Sequence, residues 1–289
     1  MNTLGTTHLP NPTHRETRRR LKSLGWTLLA IILLGFMLFP LYWIINISLM
    51  HQTDILRYPP PFVPPQLTLD GYRSALTTAG EYIQVSLIYG LGTVIVTLLI
   101  AAPASYALAK IRTRLVSFML FALILAQMAP GTVVANSLYA AFSRLGLLNS
   151  YLAVILADAT IAVPFAIIVM RAFMVGIPRE LFEAATVDGA GQWRIFRSIV
   201  LPLSRTAIIT ASLFSFLFGW GDFLFALTLN SDPHHTPITV GIYRFIGSFS
   251  VEWPSVMAIA VIASVPAVLL LVVAQRYIAA GITTGAIKE

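Results

Sequence analysis

The sequence predicts an all-α membrane protein with six transmembrane helices. Three observations carry the prediction: an apolar composition, six long segments with almost no charge, and basic residues gathered on alternate connections. Of 289 residues, 57% are hydrophobic and 11% charged, and the mean hydropathy is +0.80, so water is not the main solvent of this chain. A net charge of +7 and a pI near 9.9 would suit nucleic acid if the basic residues shared one compact face. They are scattered between apolar spans instead, which argues against that partner. The chain has no cysteine, which excludes disulfides, thiolate-held iron–sulfur clusters and cysteine zinc sites.

Crossing a hydrocarbon core takes ~20 residues of helix. The first segment to meet that length, Trp26 to Leu49, follows Arg18, Arg19, Arg20 and Lys22. It is too long for a signal peptide and lacks a small-residue cleavage site, so it is read as an anchor. Ile83 to Ala109, Leu115 to Tyr139, Tyr151 to Met170, Thr206 to Leu229 and Val256 to Gln275 follow, and four of the six spans contain no charged residue. Every span must satisfy its backbone hydrogen bonds internally, so helices or a closed barrel are the options. Runs such as Leu28-Leu29-Ala30-Ile31-Ile32-Leu33-Leu34 do not alternate with polar residues, which excludes the barrel.

Basic residues near span ends are retained in the cytoplasm. With the N-terminus inside, the tail contributes Arg15, Arg18, Arg19, Arg20 and Lys22. The connection between the second and third spans adds Lys110, Arg112 and Arg114, that between the fourth and fifth Arg171, Arg179, Arg194, Arg197 and Arg205, and the end Arg276 and Lys288. Of the 19 Lys and Arg residues, this leaves only Arg57, Arg73, Arg144 and Arg244 outside. The expected organisation is a cytoplasmic basic tail over 1–25, a transmembrane domain over 26–278 and a cytoplasmic C-terminal tail over 279–289, in a multi-pass protein of the cell membrane.

Two connections exceed a simple turn. The outer one, His51 to Tyr82, holds Tyr58-Pro59-Pro60-Pro61-Phe62-Val63-Pro64-Pro65, whose prolines favour a semi-rigid path and suit either a small cap or a spacer. The inner one, over 175–203, is more informative. Pro178 suits a first helical position and Gly189 a left-handed stop, bracketing a helix of about ten residues. A second helix is expected over Gln192 to Leu201, with Trp193, Phe196, Ile199 and Val200 at helical spacing, before Pro202 bends the path. On the first helix, Ala184 and Ala185 are small enough to admit a close partner surface, Glu183 offers a charge, and Leu181 and Phe182 offer apolar anchors. The same composition suits an amphipathic helix lying on headgroups or packing back on the bundle.

These residues carry a resemblance. Glu183-Ala184-Ala185, three residues, Gly189, nine residues, Ile199, one residue, Leu201-Pro202 is similar to the signature of inner-membrane permeases of binding-protein-dependent ABC importers. The resemblance implies that this loop is a coupling helix docking into a separate ATPase subunit, with Glu183, Ala184, Ala185, Asp188 and Gly189 making the contact beside Leu181 and Phe182. It further implies two ATP-binding subunits that use ATP and Mg, a second homologous permease, an extracytoplasmic solute-binding protein, and no cofactor on this chain. Leu69-Asp70-Gly71-Tyr72, Trp220-Gly221-Asp222-Phe223-Leu224-Phe225-Ala226-Leu227 and Gln275-Arg276-Tyr277-Ile278-Ala279-Ala280-Gly281 resemble the carbohydrate subgroup and its maltose-type permeases. Gly71-Tyr72 and Trp220-Gly221 stand where relatives often have Asn-Tyr and Trp-Asn, so no particular sugar is transferred. The tail Gly281 to Lys288 resembles an extension that reaches toward the ATPases, where a secondary contact is expected.

No GxxxxGK[ST], HExxH or GxSxG occurs, so this chain has none of these phosphate-loop or hydrolase constellations. His234 and His235 are adjacent but lack a carboxylate cluster beyond Asp232, and are read as a solvated loop. Asp158 and Asp222 lie inside apolar spans, where ionisable groups are costly and usually face a cavity or partner. Counting ~1.5 Å per residue places Asp158 roughly 10 Å below the outer surface, and Asp222 in the outer half of its span. Trp220 and Phe223 beside Asp222 would offer a sugar an aromatic face and an acceptor. Packing against a partner permease, or capping an interfacial turn, would use the same residues. An ion-coupled secondary transporter would instead use the two aspartates for coupling, and another polar solute would suit the same pathway.

Overall fold

The computed structural model describes residues 12–111, 113–246 and 251–286, and among them every regular element is helical. Among the described residues four helices are long and apolar enough to cross a membrane, and up to six spans result if each of two bent helix pairs counts as one.

Helix α1, Pro12–Ser48, carries an apolar stretch over Ser23–Ser48 that packs along the C-terminal helix and is otherwise left facing outward. The proline segment after it folds back on α1. Asn46 Nδ2 donates to the Pro61 carbonyl at 3.2 Å, the Tyr42 hydroxyl donates to the Phe62 carbonyl, and the Trp43 ring meets Phe62 edge-on. A short helix α2, Gln52–Ile55, precedes it, with the buried Asp54 paired to Arg57 at 2.8 Å.

Helix α3, Asp70–Lys110, is 41 residues long and starts well before its predicted apolar core. The third predicted span, Leu115 to Tyr139, is not one straight helix. It is α4, Arg114–Ala126, and α5, Gly131–Leu145, bent by 95°. Pro130 is the cause: it holds its own backbone at φ −57, ψ 131 and disfavours helix at the residue before it. Helix α6, Tyr151–Val175, starts where Ser150 Oγ accepts from Ala153 N at 3.2 Å.

The predicted helix pair after α6 forms with two adjustments. Helix α7, Arg179–Val187, begins one residue after Pro178, which is its N-cap. The second member is α8, Gln192–Ile195, a π-helical turn over Phe196–Val200 and α9, Leu201–Leu203. Pro202 has no N–H to return to the preceding turn, and the chain absorbs this as the π turn and a 78° bend at Ser204, two residues beyond the predicted break. Helix α10, Arg205–Gly221, ends at Asp222, so the predicted span to Leu229 is also interrupted, and α11, Leu224–Leu229, follows. A 3-10 turn at Pro233–His235 leads to α12, Ile238–Ile246, and α13, Trp253–Ala286, completes the fold. In the tail read as a secondary contact, the backbone to Ala286 continues α13, whereas Ile287, Lys288 and Glu289 lie outside the described residues, as does 1–11 of the N-terminal tail.

The centre of the bundle is α3, α6 and α10. Ala153, Ala157, Ala162 and Ala166 on α6 are fully buried, as are Ala207 and Ala211 on α10, which lets backbones approach closely where lipid gives no hydrophobic drive between helices. At Gly219 an added Cβ would sit 2.8 Å from both Thr93 Oγ1 and the Tyr89 carbonyl, so α10 meets α3 there with no room for a side chain. Ser105 Oγ donates to the Ile167 carbonyl at 3.2 Å, and Arg171 Nε to the Leu108 carbonyl at 3.1 Å, tying α3 to α6 near the α7 end.

Candidate functional site

The α7 elbow is built from its turn outward. After the last turn of α7 the chain reverses at Gly189, whose φ of +77° suits glycine because it has no Cβ to collide with the following carbonyl. Ala190 N donates to the Ala185 carbonyl at 2.9 Å and Gly189 N to the Thr186 carbonyl at 3.0 Å. This pair of bonds satisfies the carbonyls that a helix end leaves open. Glu180 in the first turn complements the positive end of the helix.

Aromatic contacts fix the elbow to the end of α3. Tyr106 lies 6.4 Å from the Phe182 ring and 5.5 Å from Phe196, and Trp193 lies 5.4 Å from Phe196. Gln192 Oε1 accepts from the Tyr106 hydroxyl at 3.2 Å and from Lys110 Nζ at 2.5 Å. The end of α3 thus meets α7 through the Phe182 ring and α8 through Gln192.

The sequence-predicted docking residues divide between two faces. Leu181, Glu183, Ala184, Asp188 and Gly189 are exposed, while Phe182 and Ala185 are half-buried and pack on the cluster that includes Ile195, Phe196 and Val200. Val187 joins the exposed face at 88% exposure, and Trp193 stands beside it at 70%. Sequence reasoning missed Val187, although its place three residues after Ala184 makes the two neighbours on the helix surface. The result is a short helix with a small, mixed, outward face and an inner face locked to the bundle.

At the opposite end, the four candidate pathway residues differ in what they touch. Asp158 is 2% exposed on α6, with Thr93 of α3 alongside and Asp222 within electrostatic reach. Asp222 caps α11, its two carboxylate oxygens accepting from Phe225 N at 3.1 Å and Ala226 N at 2.7 Å. Trp220 turns into the bundle, its ring stacked on Phe216 and its Nε1 donating to the Ala263 carbonyl at 3.0 Å. Phe223 remains partly exposed, edge-on to Tyr243 at 5.5 Å. Phe223 and Tyr243, rather than Trp220 and Phe223, form the accessible aromatic pair at this end. Tyr243 gave no signal in sequence because it lies on α12, outside the apolar spans.

The histidine loop also departs from a simple solvated turn. His234 is exposed, but His235 is half-buried, with its ring edge-on to Tyr151 at 4.2 Å. The Tyr89 hydroxyl donates to the His235 carbonyl at 2.9 Å and accepts from Asn230 Nδ2 at 3.0 Å, binding the loop to α3.

Comparison with known proteins adds to this geometry. Residues 99–284 match the family described as binding-protein-dependent transport system inner membrane component. The chain is 32% identical to the probable ABC transporter permease protein y4oR of Sinorhizobium fredii, covering 96% of this chain and 98% of that one. It is 30% identical to the trehalose transport system permease protein SugB of Mycobacterium tuberculosis, over 91% and 97% of the two chains. It is also 30% identical to the trehalose/maltose transport system permease protein MalG of Thermococcus litoralis, over 94% and 97%. Among solved structures, a bacterial ABC transporter involved in the import of the acidic polysaccharide alginate superposes with a TM-score of 0.79 at 21% identity, over 94% of this chain and 99% of that one.

Proposed function

The chain belongs to the binding-protein-dependent transport system inner membrane components, the permeases of ABC importers, and from that premise we propose that it forms half of the translocation pathway for a sugar or oligosaccharide. Relatives named for trehalose, diacetylchitobiose and trehalose/maltose transport support the carbohydrate class.

In this reading both termini and α7 face the cytoplasm, in keeping with the distribution of Lys and Arg. Residues 1–25 and 279–289 are tails flanking the transmembrane domain of 26–278. The exposed face of α7 docks in a cleft of an ATPase subunit, with Leu181, Glu183, Ala184, Asp188 and Gly189 at the contact and Phe182 and Ala185 holding the helix to the bundle. Two such ATPases, a second homologous permease and an extracytoplasmic solute-binding protein complete the assembly, and ATP with Mg is used by the ATPases rather than by this chain. Closure of the ATPases moves α7, and the bundle rocks to expose the solute pathway to alternate sides. Asp158, Trp220, Asp222 and Phe223 support the outer part of that pathway, Phe223 by contact and the other three by holding the helices around it.

The observation that carries this reading is α7 itself: a nine-residue helix with an outward face and an inner face that meets α3 through Phe182 and Tyr106, with Gln192 of α8 bonded to the same tyrosine. The test is affinity purification from the native membrane in mild detergent, with ATPase activity assayed on the product. A second permease and an ATPase should co-purify, and Glu183→Lys should release the ATPase while leaving membrane insertion normal. Transport that survives in the purified chain alone, driven by an ion gradient and indifferent to ATP, would replace the importer reading with a secondary transporter.

A further inference from the structure

Where α3, α6 and α10 meet, three side chains carry polar atoms that no other group of the described residues answers. Asp158 of α6 is 2% exposed, and Thr93 and Thr97 of α3 are fully buried. Asp158 Oδ2, Thr93 Oγ1 and Thr97 Oγ1 each lack a hydrogen-bond partner among the described residues. Thr93 stands within interaction range of the Asp158 carboxyl. Its hydroxyl also lies 2.8 Å from the place that a Cβ on Gly219 of α10 would take. Thr97 follows four residues later, one turn along the same face of α3. Other hydroxyls of the bundle are engaged: Thr210 and Ser215 return to the carbonyls of Thr206 and Ala211, and Ser105 crosses to that of Ile167.

The neighbouring groups have nothing to give. Asp222 spends its two carboxylate oxygens on Phe225 N and Ala226 N. The Tyr89 hydroxyl donates its one proton to the His235 carbonyl and accepts from Asn230. Asp158 is in no ion pair among the described residues. A buried polar atom left unpaired carries its full desolvation penalty, and here three such atoms gather at one junction. A single small molecule that both donates and accepts answers them together, giving a proton to the carboxylate oxygen and accepting from the hydroxyls. We propose that Asp158, Thr93 and Thr97 hold a buried water molecule at the junction of α3, α6 and α10. An anion would face the Asp158 carboxyl. A hard cation takes about six or more oxygens, and three side chains fall short of that shell. A sugar hydroxyl would need an opening, and none of the three residues is more than 2% exposed. The water ties α6 to α3 beside the bare backbone of Gly219, so Asp158 positions α6 without touching α3 through an ion pair.

The test is a density map of the complex, purified in mild detergent, at a resolution that shows ordered waters. The wild type should show one peak within hydrogen-bond distance of Asp158 Oδ2 and of at least one of the two threonine hydroxyls. Thr93→Ser with Thr97→Ser should keep the peak. Thr93→Val with Thr97→Val should lose it and lower the thermal midpoint by a few degrees. A lowered midpoint alone would follow from any packing defect, so the peak decides. Should the valine pair fail to assemble, the wild-type and serine maps carry the test by themselves. Thr93 bonded directly to Asp158 with no peak between the helices, or a peak that survives in the valine pair, overturns the proposal. A peak ringed by about six oxygens would replace the water with a cation.

Discussion

Substitution at Gly189 separates a requirement for backbone conformation from one for space. The residue holds φ +77°, yet a Cβ built on it meets nothing within 4 Å. The penalty for a side chain is therefore strain alone, about 1–2 kcal/mol for an L-residue in the left-handed region. Asn is the most tolerant exception and β-branched residues the least tolerant. The elbow relieves that strain by opening the Ala190 to Ala185 and Gly189 to Thr186 bonds, which swings Asp188 and frays the docking face. If the ATPase binds only the closed elbow, its affinity falls by the same free energy, roughly 5- to 30-fold. The assay is a titration of the purified permease pair with the ATPase, run for Gly189→Asn, Gly189→Ala and Gly189→Val. Strain ranks them Asn, Ala, Val in order of increasing loss, whereas crowding would place Ala ahead of Asn. Gly191→Ala is the control, since Gly191 has φ −70° and open space around it. Equal losses at Gly189 and Gly191, or a ranking by side-chain volume, would refute the reasoning.

Other perturbations test the bundle. Gly219→Ala should lower the thermal midpoint in detergent: a helix interior gains about 1 kcal/mol from Ala, but a Cβ 2.8 Å from Thr93 Oγ1 and the Tyr89 carbonyl overpacks a contact at ~1–3 kcal/mol. A raised midpoint would show that α3 and α10 are less closely apposed. Asp222→Ala removes both oxygens that cap α11 and should cost ~1–2 kcal/mol, seen as faster hydrogen exchange at Phe225 and Ala226, with Asp222→Asn recovering part of it. Unchanged exchange at those amides would mean that the cap contributes nothing.

The apolar spans were legible because bilayer thickness imposes a length that composition reveals directly. The interruptions were not. Nothing in Leu115 to Tyr139 lowers its hydropathy at Pro130, and a proline inside an apolar run is equally compatible with a continuous helix, as Pro103, Pro164 and Pro266 are here. At Pro130 the span breaks, and residues 127–129 before it turn instead of continuing α4. At the elbow, the glycine turn and the helix between Pro178 and Gly189 could be read from local chemistry. The division of its face could not, since whether Phe182 points to a partner or to Tyr106 depends on where α3 ends. The aspartates show the same limit. A carboxylate in an apolar run signals a polar environment, but only the fold reveals that Asp222 finds it in the amides of its own next helix.

The length of α3 has a mechanical consequence. Its 41 residues span ~60 Å at ~1.5 Å per residue. A tilt of about 5° imposed at the Lys110 end, where Gln192 and the Tyr106 ring grip the elbow, carries the far end through ~5 Å, on the order of a full helical turn. That far end abuts the start of α13, where a Cβ on Gly71 would lie 2.8 Å from the Pro254 carbonyl. A small angular input beside α7 would thus reach α13 as a linear stroke, lessened by any bending at Pro103, which lies between the elbow grip and the far end of α3.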